Sequence, residues 1–256
     1  MIYPPEVPPA LVDQHAQLQE RLQETYVRVS EFSFNCLTKD QSREFMSHGV
    51  ARRLRVIARC AHNIFSIFPP DRRATLDRDS LEDVNINLHA FVLHVNALQD
   101  NLAWAYVLEF GLPLGRHAVS LFKDELKRRL PLPIQEFLDQ ESIATWQKEY
   151  STDFRDALAH RIPLYVPPAQ LTEADKQRAA ELDGEFHRLV RSHDFDGVER
   201  VQDEQNALGT ACPQFAHSLR TSAHHILHPQ VICDGLTALE LCNTVTRHWG
   251  APIERR

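Results

Sequence analysis

Residues 80–111, SLEDVNINLHAFVLHVNALQDNLAWAYVLEFG, decide the fold. Leu88, Phe91, Val95, Leu98 and Leu102 recur at intervals of three and four, the spacing that lines up one face of an α-helix. Most of the remaining positions are apolar too, and Leu102 to Leu108 is the longest unbroken apolar run of the chain. A helix that is apolar nearly all round belongs in the middle of a helical protein. Ser80 suits its N-cap and Gly111 the C′ position after its last turn.

The same periodicity extends outward on both sides. Leu11, Leu18, Leu22, Val29, Phe32 and Cys36 share one face of a helix between Ala10 and Leu37. Val50, Leu54, Ile57, Ala61, Ile64 and Phe68 alternate strictly by four and three until Pro69-Pro70 stops them. Downstream, a short amphipathic helix is expected over His117–Leu130. A longer one is marked by Ile143, Trp146, Tyr150, Phe154 and Ala157, ending near Arg161 because Pro163 disfavours the helical conformation at Ile162. IPLYVPPAQ (residues 162–170) reads as a stiff linker. Three or four helices follow: Leu182, Phe186 and Leu189 mark one, Val198 and Val201 a second, and Ile232, Leu236, Leu239 and Cys242 a last one. No segment alternates as a strand does. The expected architecture is all-α, an antiparallel helical bundle over residues 1–165 with an appended C-terminal helical region, 166–256, packed on it.

Composition narrows the function. With 28 basic and 35 acidic residues in 256, the net charge of −7 argues against a general nucleic-acid or anionic-membrane coat, leaving room only for a local basic stripe. Five cysteines without a Cys-x-x-Cys pair fit reduced thiols better than a disulfide framework. The opening MIYPPEVPP has neither a basic nor an apolar leader segment, and no apolar run approaches membrane-spanning length. A cytoplasmic protein without membrane contact is expected.

The sharpest motif is FRDALAHRIP (residues 154–163), with Arg155 and His160 at the end of a helix. Five arginine–histidine pairs have comparable spacing, namely Arg43/His48, Arg55/His62, Arg155/His160, Arg188/His193 and Arg220/His225, and about four are expected by chance. Context singles out the third: Asp156 beside the arginine, Leu-Ala before the histidine, and a helix end followed by a rigid loop. In this it resembles the HEPN family of small α-helical bundles, many of them metal-independent endoribonucleases with an arginine, an adjacent polar residue and a histidine four to six positions on. The resemblance implies that Arg155, Asp156 and His160 form a catalytic or RNA- or nucleotide-binding site, without cofactor or metal, in a homodimer, with an antitoxin or other protein as a possible partner. The chemistry is coherent: histidine moves protons near neutral pH, and a guanidinium fork stabilises a phosphate in its transition state. On one ideal helix, however, residues five apart diverge by about 140°. A non-catalytic helical interaction module is the alternative, with Arg155 and Asp156 in surface ion pairs and His160 capping the helix end.

Two stripes are further candidates. Arg52, Arg55 and Arg59, with His62, share a helix face and can track an RNA backbone or be a solvated, ion-paired surface. Asn85, His89, Asn96 and Asp100 run along the otherwise apolar central helix, so they must face water or line a site. His224 and His228 have helical metal-ligand spacing, but no carboxylate or thiol lies nearby and Pro229 is expected to end that helix. His193-Asp194 matches a metal-dependent phosphohydrolase pair, or Asp194 caps a helix starting near Phe195.

Overall fold

A computed structural model describes residues 3–218 and 223–251, and it is all-α apart from two short strands. Helix α1 (Val7–Cys36) tolerates Pro8 and Pro9 because the first helical turn needs no backbone donors. Helix α2 (Asp40–Glu44) continues through a π-helical turn, Phe45–Ala51, into α3 (Arg52–Ile67). Helix α4 (Arg78–Glu109) is the predicted central one, but its N-cap is Asp77, whose carboxylate accepts from the Ser80 backbone N–H at 2.9 Å and the Ser80 hydroxyl at 2.7 Å. Gly111 occupies the C′ position with φ +59°, as expected.

The helix expected over His117–Leu130 does not form. It is replaced by a 3₁₀ turn, Arg116–Ala118, and the short α5 (Asp124–Lys127), because Val119 and Leu121 turn into the core while the Ser120 hydroxyl accepts from the Phe122 N–H. Next come α6 (Leu132–Leu138) and α7 (Glu141–Thr145), which runs through a second π-helical turn, Trp146–Ser151, into α8 (Thr152–His160). Helices α9 (Glu173–Ser192) and α10 (Phe195–Asn206) pack on each other. Strands β1 (Gln214–Phe215) and β2 (His225–Ile226) pair antiparallel before α11 (Leu227–Arg247). Pro229 does not end a helix. It sits in the first turn of α11, where its missing donor costs nothing.

Side-chain partners give the helix directions. Asn63 of α3 donates to Asn87 of α4, whereas Arg53 reaches Asn101, so α3 and α4 are antiparallel. His15 stacks on Phe65, Gln19 donates to the Ala58 carbonyl and Ser33 meets Ser47, so α1 and α3 are antiparallel too. Helix α11 instead runs parallel to α1: Leu18 lies beside Gly235, Arg28 donates to Asn243 and Phe32 packs edge-on against Trp249. A Cβ on Gly235 would stand 2.9 Å from Leu18, so glycine permits this close approach. The hydrophobic core runs across the expected boundary at residue 165, since Leu227, Val231, Leu239 and Cys242 of α11 join Leu18, Leu54, Phe91 and Leu98 in it, whereas Leu182 of α9 and Val201 of α10 are buried outside it. No helix among the described residues is long and apolar enough to cross a membrane.

Helix α11 buries a carboxyl and an imidazole without a counter-ion. Asp234 is 2 % exposed and accepts from Trp146 Nε1 (2.8 Å), Tyr150 Oη (2.7 Å) and Gln230 Nε2 (2.8 Å), anchoring the second π-helical turn. Burial pushes its carboxyl up to about 6, against the pull of these hydrogen bonds. His228 is fully buried among the rings of Tyr3, Phe65 and Phe68. Its Nε2–H donates to the Phe68 carbonyl at 2.6 Å, so in the neutral ring Nδ1 accepts from Tyr3 Oη at 2.9 Å, and burial pushes its pKa down to about 4.

These groups act oppositely on stability. The depressed His228 supports the fold above its free value of 6.5 and loses that support, about 3 kcal/mol, as pH falls toward 4. The raised Asp234 supports the fold below 3.8 and loses about as much as pH rises through 6. Asp234→Asn removes only the second effect: Oδ1 can still accept from Trp146 and Gln230, while Nδ2 can donate to the Tyr150 hydroxyl oxygen. Urea unfolding should therefore show the stability of Asp234→Asn relative to wild type decreasing by about 2 kcal/mol from pH 7 to pH 4. A gap independent of pH would refute a carboxyl titrating in this range.

Candidate functional site

Helix α8 is held from behind by the polar stripe of α4. Ser151 Oγ donates to Asn96 Oδ1 at 2.7 Å, and Asn96 Nδ2 returns to the Val92 carbonyl. His89 Nε2–H donates to the Leu164 carbonyl, and Asn85 Oδ1 accepts from the Val166 N–H at 2.8 Å. The segment 162–171 is thus no free linker: Leu164 and Val166 are buried, and Tyr165 and Gln170 pair with Ala216 and Thr210. His89 and Asn96, expected to line a site, are consumed in positioning it. Asp100 keeps an exposed edge. Partial desolvation raises its pKa, while the charges of Arg155, Arg53 and Lys123 pull it down.

Helix α8 is regular from Thr152 to His160, so Arg155 and His160 diverge as on an ideal helix. Arg155 donates from Nε (3.0 Å) and Nη2 (2.8 Å) to Asp156 Oδ1 in a half-exposed ion pair. His160 is exposed and forms no hydrogen bond or ion pair with a described residue. No side-chain bond from His160 caps the end of α8; the neighbouring Arg161 instead folds back along the helix, its Nη2 donating to the carbonyl (2.7 Å) and carboxylate (2.6 Å) of Asp153 in the first turn. Arg161, together with His217 at 2.9 Å, holds the Asp153 carboxyl below its ordinary range. The sequence gives no sign of this clamp, because His217 lies far along the chain.

Arg52, Arg55 and Arg59 lie exposed along α3 and line an open groove of about 730 Å³ against α1, with Gln19 and Gln23 on the other wall. No carboxylate among the described residues pairs with any of the three, and Arg55 lies 5.7 Å over the Tyr26 ring. The ion-paired alternative for this stripe is therefore not realised. Gln19, Gln23 and Tyr26 become site candidates only through the pairing of α1 with α3.

The remaining histidine motifs have structural partners. His228 has both ring nitrogens engaged, and His225 packs among Tyr150, Phe154 and Phe215, so His224 and His228 do not form a ligand pair. Asp194 caps α10 by accepting from the Gly197 N–H at 3.0 Å, and His193 makes the left-handed turn (φ 59°) that ends α9. Among the described residues no three histidine, cysteine, aspartate or glutamate side chains gather as metal ligands. Of the other arginine–histidine pairs, Arg43 bonds the Leu37 carbonyl and Asp40, and Arg220 lies outside the described residues.

No family model, no curated protein and no solved structure matches this chain.

The division of work at the end of α8 is measurable. Arg161→Ala should lower unfolding stability by about 1 kcal/mol, since it removes a half-exposed bond network. His160→Ala should change it by less than about 0.5 kcal/mol. Thermal or urea unfolding of the two variants distinguishes this from a helix end braced by His160.

Proposed function

We propose that the exposed end of α8 is a phosphodiester site for RNA, in which His160 transfers protons and Arg155 holds the phosphate. What supports this is that the His160 imidazole is exposed at the end of α8, while the adjacent Arg161 is engaged with Asp153. An accessible imidazole near neutral pH can take the 2′-hydroxyl proton or protonate the leaving 5′-oxygen. The Arg155–Asp156 pair is half exposed and therefore weakly held, so a phosphate can compete for the guanidinium fork. This is the metal-independent chemistry that the resemblance to HEPN ribonucleases implies. Because Arg155 and His160 diverge on one helix, cleavage requires two copies whose α8 ends meet across a two-fold axis.

The same Arg155–Asp156 pair favours a second reading, a helical interaction module without catalysis. Incubation with single-stranded RNA separates the two. Wild type should cleave with and without a chelator, and His160→Ala and Arg155→Ala should each lose on the order of 10² or more in rate without unfolding. Sedimentation should show the active species to be a dimer. No cleavage by wild type, or equal cleavage by wild type and His160→Ala, overturns the nuclease.

A further inference from the structure

We infer that the α1/α3 groove is a binding site for a single strand of nucleic acid, with successive phosphates on Arg52, Arg55 and Arg59. The site shares RNA with the proposal for α8 but none of its residues, and it stands if cleavage fails.

Charge is the first ground. The chain has more acidic than basic residues, and several of its arginines pair with carboxylates, among them Arg78 with Glu82, Arg128 with Asp124 and Arg178 with Glu204; others, such as Arg28 and Arg53, bond neutral groups instead, so what distinguishes α3 is that three arginines line one groove. On this acidic molecule three arginines on adjacent turns without an acidic partner form a local positive track. No acidic side chain lines the groove. Three like charges so close repel one another, and a phosphate chain relieves that repulsion.

Shape is the second ground. From Arg52 to Arg59 the helix rises about 10 Å, so the two steps between the three arginines average about 5 Å, against ~3.4 Å per phosphate along a stacked strand, a difference that long arginine side chains and a partly unstacked single strand take up. The opposite wall carries the exposed carboxamide of Gln23, which bonds no described residue and can donate to a phosphate or sugar oxygen, and the Tyr26 ring that supports the Arg55 guanidinium at 5.7 Å. A furrow between two packed helices follows one line across the surface, the path of a single strand. Gln19 is already engaged, donating to the Ala58 carbonyl at 3.0 Å, and so fixes the groove floor rather than the ligand.

The test is fluorescence anisotropy with a labelled 2′-O-methyl RNA of about twelve nucleotides, which lacks the 2′-hydroxyl needed for cleavage and so reports binding alone. The full chain should bind it at 50 mM salt. Replacing Arg52, Arg55 and Arg59 together by Gln should weaken binding at least about 30-fold and reduce the slope of log affinity against log salt by about 2, at ~0.7 per phosphate contact. Gln23→Glu, which leaves all three arginines in place, should weaken binding several-fold. Arg78→Gln, which removes an arginine already paired with Glu82, should leave it unchanged. A duplex of the same length should bind more weakly. No binding by wild type, an unchanged salt slope in the triple variant, or equal losses from Arg78→Gln would overturn the site, whatever the outcome of the cleavage assay.

Discussion

Helix α4 buries one long side in the core, and buried polar side chains seek partners; on α4 nearly all find them, Gln99 Nε2 being an exception among the described residues. That requirement organises the molecule. Asn87 meets Asn63, Asn101 and His94 meet Arg53, Asn96 meets Ser151, His89 meets the Leu164 carbonyl and Asn85 meets the Val166 N–H. Each bond fixes a neighbouring segment at one level of α4, so polar positions set the register that apolar packing alone would leave free to slide. The first π-helical turn lies against this helix, and the second touches it through its last residue, Ser151. Gly49 of the first is so close to α4 that a Cβ there would stand 2.7 Å from Asn101, and Ser151 ends the second. An inserted residue lets a helix meet two sets of neighbours whose faces a regular repeat would not align.

The end of α8 follows from this anchoring. With Ser151 tied to Asn96 behind it, and Leu164 and Val166 tied to His89 and Asn85 beyond it, α8 cannot shift to bury its polar face. Arg161 and His217 then both bond Asp153 in its first turn. His160 is excluded from all of these bonds. Rigid support around an accessible imidazole is what acid–base chemistry needs, and it is also compatible with a surface that only binds.

Helix α11 carries the opposite kind of constraint. Asp234 and His228 are buried without a countercharge, and each is held by neutral donors or acceptors from distant parts of the chain. Desolvation raises one pKa and lowers the other, so their contributions to stability run against each other between pH 4 and 6.5. Their bonds tie the second π-helical turn, the N-terminal Tyr3 and the Phe68 carbonyl at the end of α3 to one helix, which accounts for α11 joining the core rather than an outlying region.

The helical class, the central position of α4, the end of α8 and the caps at Gly111 and Asp194 were legible in the sequence, because periodicity, proline and capping chemistry act within a few residues. Their failures are also local: the Ser120 hydroxyl and the inward turn of Val119 and Leu121 outcompeted a weak amphipathic pattern, and Pro229 reads the same at the start of a helix as after one. What only the tertiary structure decided is which residues meet. The polar stripe of α4 positions α8 instead of lining a cavity, Arg161 and His217 rather than His160 engage Asp153, and Gln23 and Tyr26 face the arginines of α3. Each depends on a contact between segments whose spacing along the chain carries no information about their spacing in space.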